Sequence, residues 1–493
     1  MSADERMPPA GPSGAATGDR QLPINLFTQD PSNAIPQSTY LLPSSWRRFQ
    51  LSELINKVLQ NTPEHGAKPV PFDFVVEGEV LRGSLEAWVK KHRGGEAERV
   101  INVEYRRSVM PPEEMGRVEV EDWVSGLSLG RPGYIMLSSY LSHVQLLPFS
   151  SGSTAQPITL PLPSLLGATC CTYVSPISVS TNIRLAAGGV DRAVHVFELP
   201  SLSPEAASGK EIFTLHGHTA PVSSVCASSS GRELVSAGWD GQLNLYALPE
   251  EIPTEHQIPA EPTSYLPGQK KRRKMEKSGD MDGTSGKVIE GLTDGDVGEG
   301  GWRRMPDGVM RGHKGRVGGV VWDKDEAGRV WSAGWDGSIR GWEVESGAGA
   351  VVRQGPMDKA MLCIDQFSGN GQLATGSMDR TISLWDTREP TSLISLSIPT
   401  TSPVPSLRCH PTSSFTLAAA TYSGTVQIWD VRSPKTALFS VSKAASATTE
   451  ATRKVTKNGK VLGERLLAVD WDGEVLVAGG EDGEVGIWRA RGE

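Results

Sequence analysis

Apolar residues follow two different rhythms along the chain, and each predicts its own architecture. The first occupies residues 21–105. LPINLF (22–27) reads as a short strand, and Leu51, Leu54, Ile55, Val58 and Leu59 recur at i, i+3, i+4, i+7 and i+8, which is one face of a helix. Pro71–Val76 and Val80-Leu81 flank Glu77-Gly78, a strand–turn–strand pattern. Ser84 is placed to cap a second short helix whose inner face is Leu85, Trp88 and Val89. Val100–Tyr105 alternates like a last strand. The order ββαββαβ in under 90 residues predicts a small α+β roll of the ubiquitin type; another small α+β domain is the alternative.

From about residue 120 the rhythm changes to short β runs that end in turn signals, and it repeats. Each unit has a turn residue followed six positions later by an aromatic: Asp240…Tyr246, Asp336…Trp342, Asp379…Trp385 and Asp482…Trp488 are the best copies. Asp191…Phe197 and Ser423…Trp429 are variants, and His143…Phe149 is a degenerate first copy. The seven aromatic anchors are spaced by 48, 49, 96, 43, 44 and 59 residues. A WD-type blade takes about 40–45 residues, so 96 is one blade plus a long insertion and 59 one blade plus a shorter one. The fold class is therefore mainly β: a seven-bladed WD-repeat propeller over residues 121–493, behind the small ubiquitin-like domain at 21–105. The resemblance to WD repeats is strong in four units and weak in the first. Only five residues follow Trp488, so the last blade needs an outer strand from upstream. The linker 106–120 is expected to pair there and to clamp the small domain to the ring.

Composition sharpens this picture in a few places. Hydrophobic residues make up 38% of 493, and with 54 glycines that is enough for a sizeable core. The net charge of −8 argues against a surface that is wholly a nucleic-acid sleeve, while leaving room for a basic patch. No apolar run approaches the roughly 18–20 residues of a membrane span, and the polar N-terminus does not read as a secretory signal. Cys170, Cys171, Cys226, Cys363 and Cys409 form no CxxC pair and read as reduced, mostly buried thiols. Residues 1–20 and the insertion 250–305 are polar enough to be expected disordered, and 441–462 is a second, shorter polar insertion. Within the long insertion, Lys270, Lys271, Arg272, Arg273 and Lys274 form a basic run. A nuclear import signal is the preferred reading; a solvated charge run and phosphate contact with RNA are the alternatives.

The chemistry of the repeat is read as structural. Gly217-His218 and Gly312-His313 put a histidine 22 and 23 residues before Asp240 and Asp336, which lets an imidazole on an incoming loop meet the turn carboxylate. Such pairs imitate an acid/base couple but serve to orient the ring and hold the turn. The turns at Asp379 and Asp482 lack the Gly-His partner and are expected to be held less well. No P-loop, GxSxG, HExxH, dinucleotide fingerprint or metal-spaced Cys/His cluster occurs. His195 is read on a strand, His410 in a turn, and His65, His92 and His256 in polar loops, none beside a nucleophile. The chain is expected to be no enzyme and to bind no cofactor or metal by itself.

Three strings together, PVPFDFVVEGEVLRGSLEAWV (69–89), VINVEY (100–105) and EDWVSGL (121–127), resemble the family of the WD-repeat subunit of the nucleolar PeBoW complex. The resemblance implies a non-catalytic factor that acts with pescadillo and the Bop protein on precursors of the large ribosomal subunit, in maturation of 5.8S and 25S/28S rRNA. It implies a nuclear place, in nucleolus and nucleoplasm, and no membrane. It implies that the propeller docks on the Bop propeller; Trp302 and Trp331 are tempting anchors there, but each reads as core or loop filler. It further implies that the small domain is a handle for the AAA ATPase midasin, one acidic side chain completing a Mg²⁺ site held by midasin. Alignment on the last strand puts Glu98, four residues before Asn102, at that position, with Glu96 as runner-up. The related Notchless proteins share the domain type but carry eight blades; a Notchless-like adaptor in pre-ribosome remodelling or ubiquitin signalling is the alternative.

Overall fold

The computed structural model describes residues 20–29, 33–36, 38–60, 69–93, 99–131, 133–149, 157–174, 182–200, 209–249, 302–344, 349–354, 359–388, 396–443 and 464–490. The chain divides into two compact units, Met1–Val109 and Met110–Gly492. The expected disordered segments lie almost wholly outside the described residues, and so does the basic run Lys270–Lys274.

The first unit contains β1 (Gln21–Phe27), β2 (Thr39–Pro43), α1 (Arg48–Val58), β3 (Phe72–Val76), β4 (Glu79–Val80), α2 (Leu85–Arg93) and β5 (Ile101–Arg107). The sheet order is β2-β1-β5-β3-β4, with β1 and β5 parallel, Ile24 opposite Ile101. That is the ubiquitin roll the apolar pattern predicts. Leu51 and Ile55 of α1 are fully buried with Leu22, Ile24, Phe74 and Val103, while Leu85, Trp88 and Val89 of α2 complete the same core. Val58, expected on the inner face of α1, instead lies at the helix end and is 39% exposed. The β3–β4 hairpin turns through Glu77 and Gly78, both at positive φ (50° and 78°). Such a pair gives a turn whose twist matches the strands it joins. Asn56 pins the chain before β3: its amide donates to the Val70 carbonyl at 2.7 Å, and its oxygen accepts from the Val70 N–H at 2.9 Å.

The described residues of the second unit form seven sheets, antiparallel except for one added parallel strand in the second. The innermost strands are Val124–Arg131, Ala168–Val174, Val222–Ala227, Val317–Trp322, Met361–Gln366, Ser406–Cys409 and Leu466–Trp471. Each lies beside the next, and the last lies beside the first, so the ring closes. Between every neighbouring pair of sheets sits a separate apolar cluster, and each holds one of the aromatic anchors. Phe197, Tyr246, Trp342, Trp385, Trp429 and Trp488 are at most 4% exposed, and Phe149 packs partly buried in the cluster that joins the seventh sheet to the first. Truncation of such a side chain to alanine costs about 3–5 kcal/mol, which is why the spacing of aromatics reports the blades so directly.

The seventh sheet is completed from upstream. β6 (Glu113–Glu119) pairs antiparallel with Glu484–Arg489, Val118 opposite Val485, and the Val120 N–H donates to the Gly483 carbonyl at 2.7 Å. Met115 and Val118 pack on the cluster of Val477, Val485 and Ile487. The stretch between β5 and β6 is thus only residues 108–112, shorter than the linker read from sequence. The long insertion is also shorter than expected at its far end. Trp302–Arg304 forms a strand parallel to Lys210–Leu215, extending the second sheet before Gly308–Arg311 closes the third.

Deleting Glu113–Glu119 removes a whole outer strand, at about 0.5–1.5 kcal/mol per lost ladder bond. The variant is expected to melt lower in a thermal scan and to aggregate through the bared edge of Glu484–Arg489. A synthetic 112–121 peptide added in trans is expected to recover part of the lost stability; an unchanged melt would show that the ring does not depend on this strand.

Candidate functional site

The turns between the second and third strands of the sheets lie on one face of the ring, and where the turn carries an aspartate it is held by one of three devices. In the fourth sheet the Trp342 indole N–H donates to Ser332 Oγ (2.8 Å), Ser332 Oγ meets His313 Nε2 (2.8 Å), and His313 Nδ1 meets Asp336 (3.1 Å). Trp342 can only donate and the carboxylate can only accept. The ring nitrogens are therefore assigned by their partners: Nδ1 carries the proton, and Nε2 accepts from the serine. Burial alone would push the Asp336 carboxyl up, but the His313 ring N–H and the Lys314 backbone N–H hold it well below the usual carboxylate range. The third sheet repeats the device with Ser236, His218 and Asp240 (2.7 and 3.1 Å). There Tyr246 replaces the tryptophan, and its hydroxyl donates to the His216 carbonyl instead (3.1 Å).

Serine, histidine and aspartate in this order imitate a hydrolytic triad, but access decides against it. Ser236 and Ser332 are 0% exposed, and Ser332 Oγ is already an acceptor for Trp342. An acyl-transfer nucleophile must reach a substrate carbon, and these cannot.

The turns without a Gly-His partner are not left loosely held, contrary to the sequence reading. Lys359 Nζ lies 2.8 Å from Asp379, and Lys443 Nζ lies 2.8 Å from Asp482. Both lysines come from the stretch that leads toward the next inner strand or closes the outer one, close to where the histidine stands in the other sheets. Lys443 was read as part of a polar insertion, yet its side chain is only 8% exposed, and burial pulls its ammonium below the ordinary lysine value despite Asp482. In the second sheet the cation comes from within the strand. His195 contacts Asp191 through Nε2 (2.9 Å) and Glu211 through Nδ1 (2.7 Å). Burial works against its charged form, but the two carboxylates outweigh it and raise the imidazole to about 9. In the sixth sheet, where Ser423 stands for aspartate, Thr421, Ser423 and Thr425 join their hydroxyls within 2.9–3.2 Å.

The remaining candidates separate cleanly. Glu98 and Glu96 lie outside the described residues, as do His65 and His256. His92 is not in a loop: it sits on α2, stacked on Trp88 (centroids 4.7 Å) and 3.0 Å from Glu79. His410 does occupy a turn, its Nδ1 accepting backbone N–H groups of Thr412 and Ser413. Trp331 is 2% exposed and donates to Asp323 (2.8 Å), and Trp302 is half-buried in its added strand. Cys171 and Cys409 are buried and the other three cysteines partly so; burial raises every one of the thiols, Cys171 and Cys363 to about 12.

One feature of the same face was not read from sequence. The residue just before each turn aspartate, or its equivalent, donates its backbone N–H to the residue that opens its own inner strand, at 2.8–3.1 Å, in Val190, Trp239, Trp335, Met378, Tyr422 and Glu481. These bonds hold the side chains in a collar around the ring axis. Trp239, Trp335 and Met378 are 45%, 40% and 46% exposed. Their partner positions include Arg316 and Arg465. Periodicity finds residues that point into a core; it is blind to large apolar residues that the backbone register turns outward.

A ring of seven sheets with a ubiquitin-like roll before it, each sheet joined to the next through an aromatic anchor, defines a WD-repeat protein. Family models match an NLE (NUC135) domain at residues 22–89 and WD domain, G-beta repeats at 209–246, 305–343, 352–386 and 391–430. The chain is 31% identical to the ribosome biogenesis protein YTM1 of Laccaria bicolor over 94% of each chain, and 32% identical to that of Coprinopsis cinerea over 96% of each. A ribosome biogenesis protein WDR12 homolog of Chlamydomonas reinhardtii is 31% identical over 84% of this chain and 88% of its own. The chain belongs to the YTM1/WDR12 family of ribosome biogenesis proteins, the family the N-terminal strings resembled.

Two predictions follow from the turn geometry. The His195 imidazole is raised in the folded state from 6.5 to about 9, so its stabilisation is fully present below pH 6.5 and is lost as pH rises through 9. The stability gap between wild type and His195→Gln, measured by urea unfolding, is expected to be largest below pH 6.5 and to shrink by up to about 3 kcal/mol toward pH 9.5. A pH-independent gap would mean the ring is not charged. Separately, Lys443→Met breaks a nearly buried pair and is expected to cost about 2–3 kcal/mol. Lys359→Met, whose pair is a quarter to a third exposed, is expected to cost under about 1 kcal/mol. Equal costs in the same assay would contradict the burial difference.

Proposed function

We propose that this ribosome biogenesis factor is a non-catalytic subunit of a PeBoW-type complex on precursors of the large ribosomal subunit. It would hold the pescadillo and Bop homologues there, its propeller against the propeller of the Bop protein, and support maturation of 5.8S and 25S/28S rRNA. The observation that carries this reading is the likeness to YTM1 proteins at 31–32% over nearly the whole of each chain. The inaccessible Ser–His–Asp chains support a binding role over a catalytic one, and a ring of seven sheets favours this reading over a Notchless-like one.

In this reading the ubiquitin-like roll is the handle for midasin. Glu98, with Glu96 as the other candidate, supplies an oxygen to a Mg²⁺ that midasin holds. A hard divalent cation takes oxygen ligands, and one loop carboxylate suffices to fill an open position. The protein would work in nucleolus and nucleoplasm, with Lys270–Lys274 as import signal.

The test is a pull-down of the tagged full chain from nuclear extract, resolved on a sucrose gradient. Pescadillo and Bop homologues are expected in the pre-large-subunit fractions; their absence there would remove the complex assignment. Glu98→Ala is expected to leave the melting temperature unchanged, since a single charge at a position the sequence reads as a loop contributes little to stability. It is expected to lose midasin and to accumulate on pre-ribosomal particles. Normal release in that variant would sink the handle assignment.

A further inference from the structure

The exposed collar holds a half-buried cation that has no counter-charge among the described residues. The Arg316 guanidinium carbon lies 4.1 Å from the Trp239 ring centroid and 4.8 Å from that of Trp335. No carboxylate stands within ion-pair distance of it among the described residues, and its buried Nε has no hydrogen-bond partner. Three other arginines of the second unit are ion-paired, Arg408 with Asp470 (2.8 Å), Arg184 with Glu198 (3.2 Å) and Arg432 with Asp430 (2.9 Å). Arg340 shares the unpartnered Nε, but only Arg316 stands between two exposed indoles. The other collar cation, Arg465, already faces Glu481 at 3.9 Å. Taking a guanidinium partly out of water without a partner is costly, and burial accordingly lowers the Arg316 value.

We infer that the collar is a docking site for a protein segment that places one Asp or Glu side chain on Arg316, between Trp239 and Trp335, with apolar residues beside it. Charge complementarity selects the acid: a carboxylate accepts two parallel N–H bonds from the guanidinium fork, and the indole walls exclude the water that would weaken them. The apolar flanks of the segment find Met378 and Tyr140, 46% and 41% exposed, and the loop carrying Leu165 and Leu166, 88% and 57% exposed. Apolar surface of this kind, contiguous and rimmed by polar turns, marks an interaction site. A nucleic-acid strand is the other anion to weigh. It is held by exposed cations along its backbone. Lys314, Arg192 and Arg380 on these turns are exposed and in no ion pair among the described residues, but Arg316 is half-buried between two indoles, a setting that suits one carboxylate. Lys359 and Lys443 are committed to Asp379 and Asp482.

The test is selection of a random peptide display library on the full chain, followed by anisotropy titration of fluorescein-labelled winners. Winners are expected to carry Asp or Glu next to Leu, Phe or Met. Their affinity is expected to fall at least about tenfold in Arg316→Ala and in an acid-to-amide version of the peptide, the usual scale for a hydrogen bond to a charged group. Arg316→Lys is expected to retain part of it. Trp335→Ala, a second surface change checked by its melting curve, is expected to weaken binding too. The inference fails if no peptides are selected, if winners lack acids, or if they bind Arg316→Ala as well as wild type. It also fails if oligo(U) RNA alone binds in an Arg316-dependent way. The readout uses no ribosomal component, so its result and that of the gradient experiment stand or fall separately.

Discussion

The ring exists because residues 113–119 and 484–489 find one another. Every other sheet in the second unit is assembled from strands that follow closely in sequence, apart from the second and third, which each take an outer strand from beyond the long insertion, and its neighbours come next along the chain. The seventh sheet alone joins the beginning of the unit to its end. Without β6 the strand Glu484–Arg489 would present an open row of backbone donors and acceptors, the template on which chains aggregate. Loop-closure entropy rises only slowly with length, so a pairing across some 370 residues is affordable once the intervening sheets have formed. It must nevertheless come late, because it gains little before the six other sheets have stacked.

The turns show a second constraint met in several ways. A tight turn that carries a carboxylate needs a donor to hold that carboxylate on the ring face, and the sheets supply His313, His218, Lys359, Lys443 or His195 from different places. Each is cationic or a ring N–H donor, and each reaches the same oxygen atoms. Charge and reach are conserved between sheets where residue type and chain position are not. The four units that match the WD-repeat family model, in the third to sixth sheets, include two that lack the histidine.

How much of this the sequence displays follows from the same physics. The seven aromatic anchors were legible because each fills an inter-sheet cluster and its loss would leave a cavity. The roll was legible because its two helices and alternating strands bury one face each. The His–Asp pairs were legible from spacing, since both partners are fixed at the ends of strands of constant length. Lys359 and Lys443 were not: a long flexible side chain reaches its carboxylate from a range of positions, so no spacing announces it. The collar was hidden for a different reason. Trp239 and Trp335 belong to no apolar period, and only the backbone bonds to Pro221 and Arg316 and their exposure show that they face outward.

The covalent path from the roll to the ring gives the closing strand a further significance. β5 is the central strand of the roll, paired on both sides, and only residues 108–112 separate it from β6. A load applied to the roll therefore reaches the ring at Glu113, the first residue of the strand that closes it. The pairing is weakest near that end: its register shifts between Ile487 and Trp488, opposite Glu114 to Gly116, while Val120 at the far end is tied to Gly483 at 2.7 Å. A bulge interrupts a ladder locally, so bonds there yield before those beyond it. Of all the strands of the ring, the one that holds it closed is the one that tension along the chain meets first.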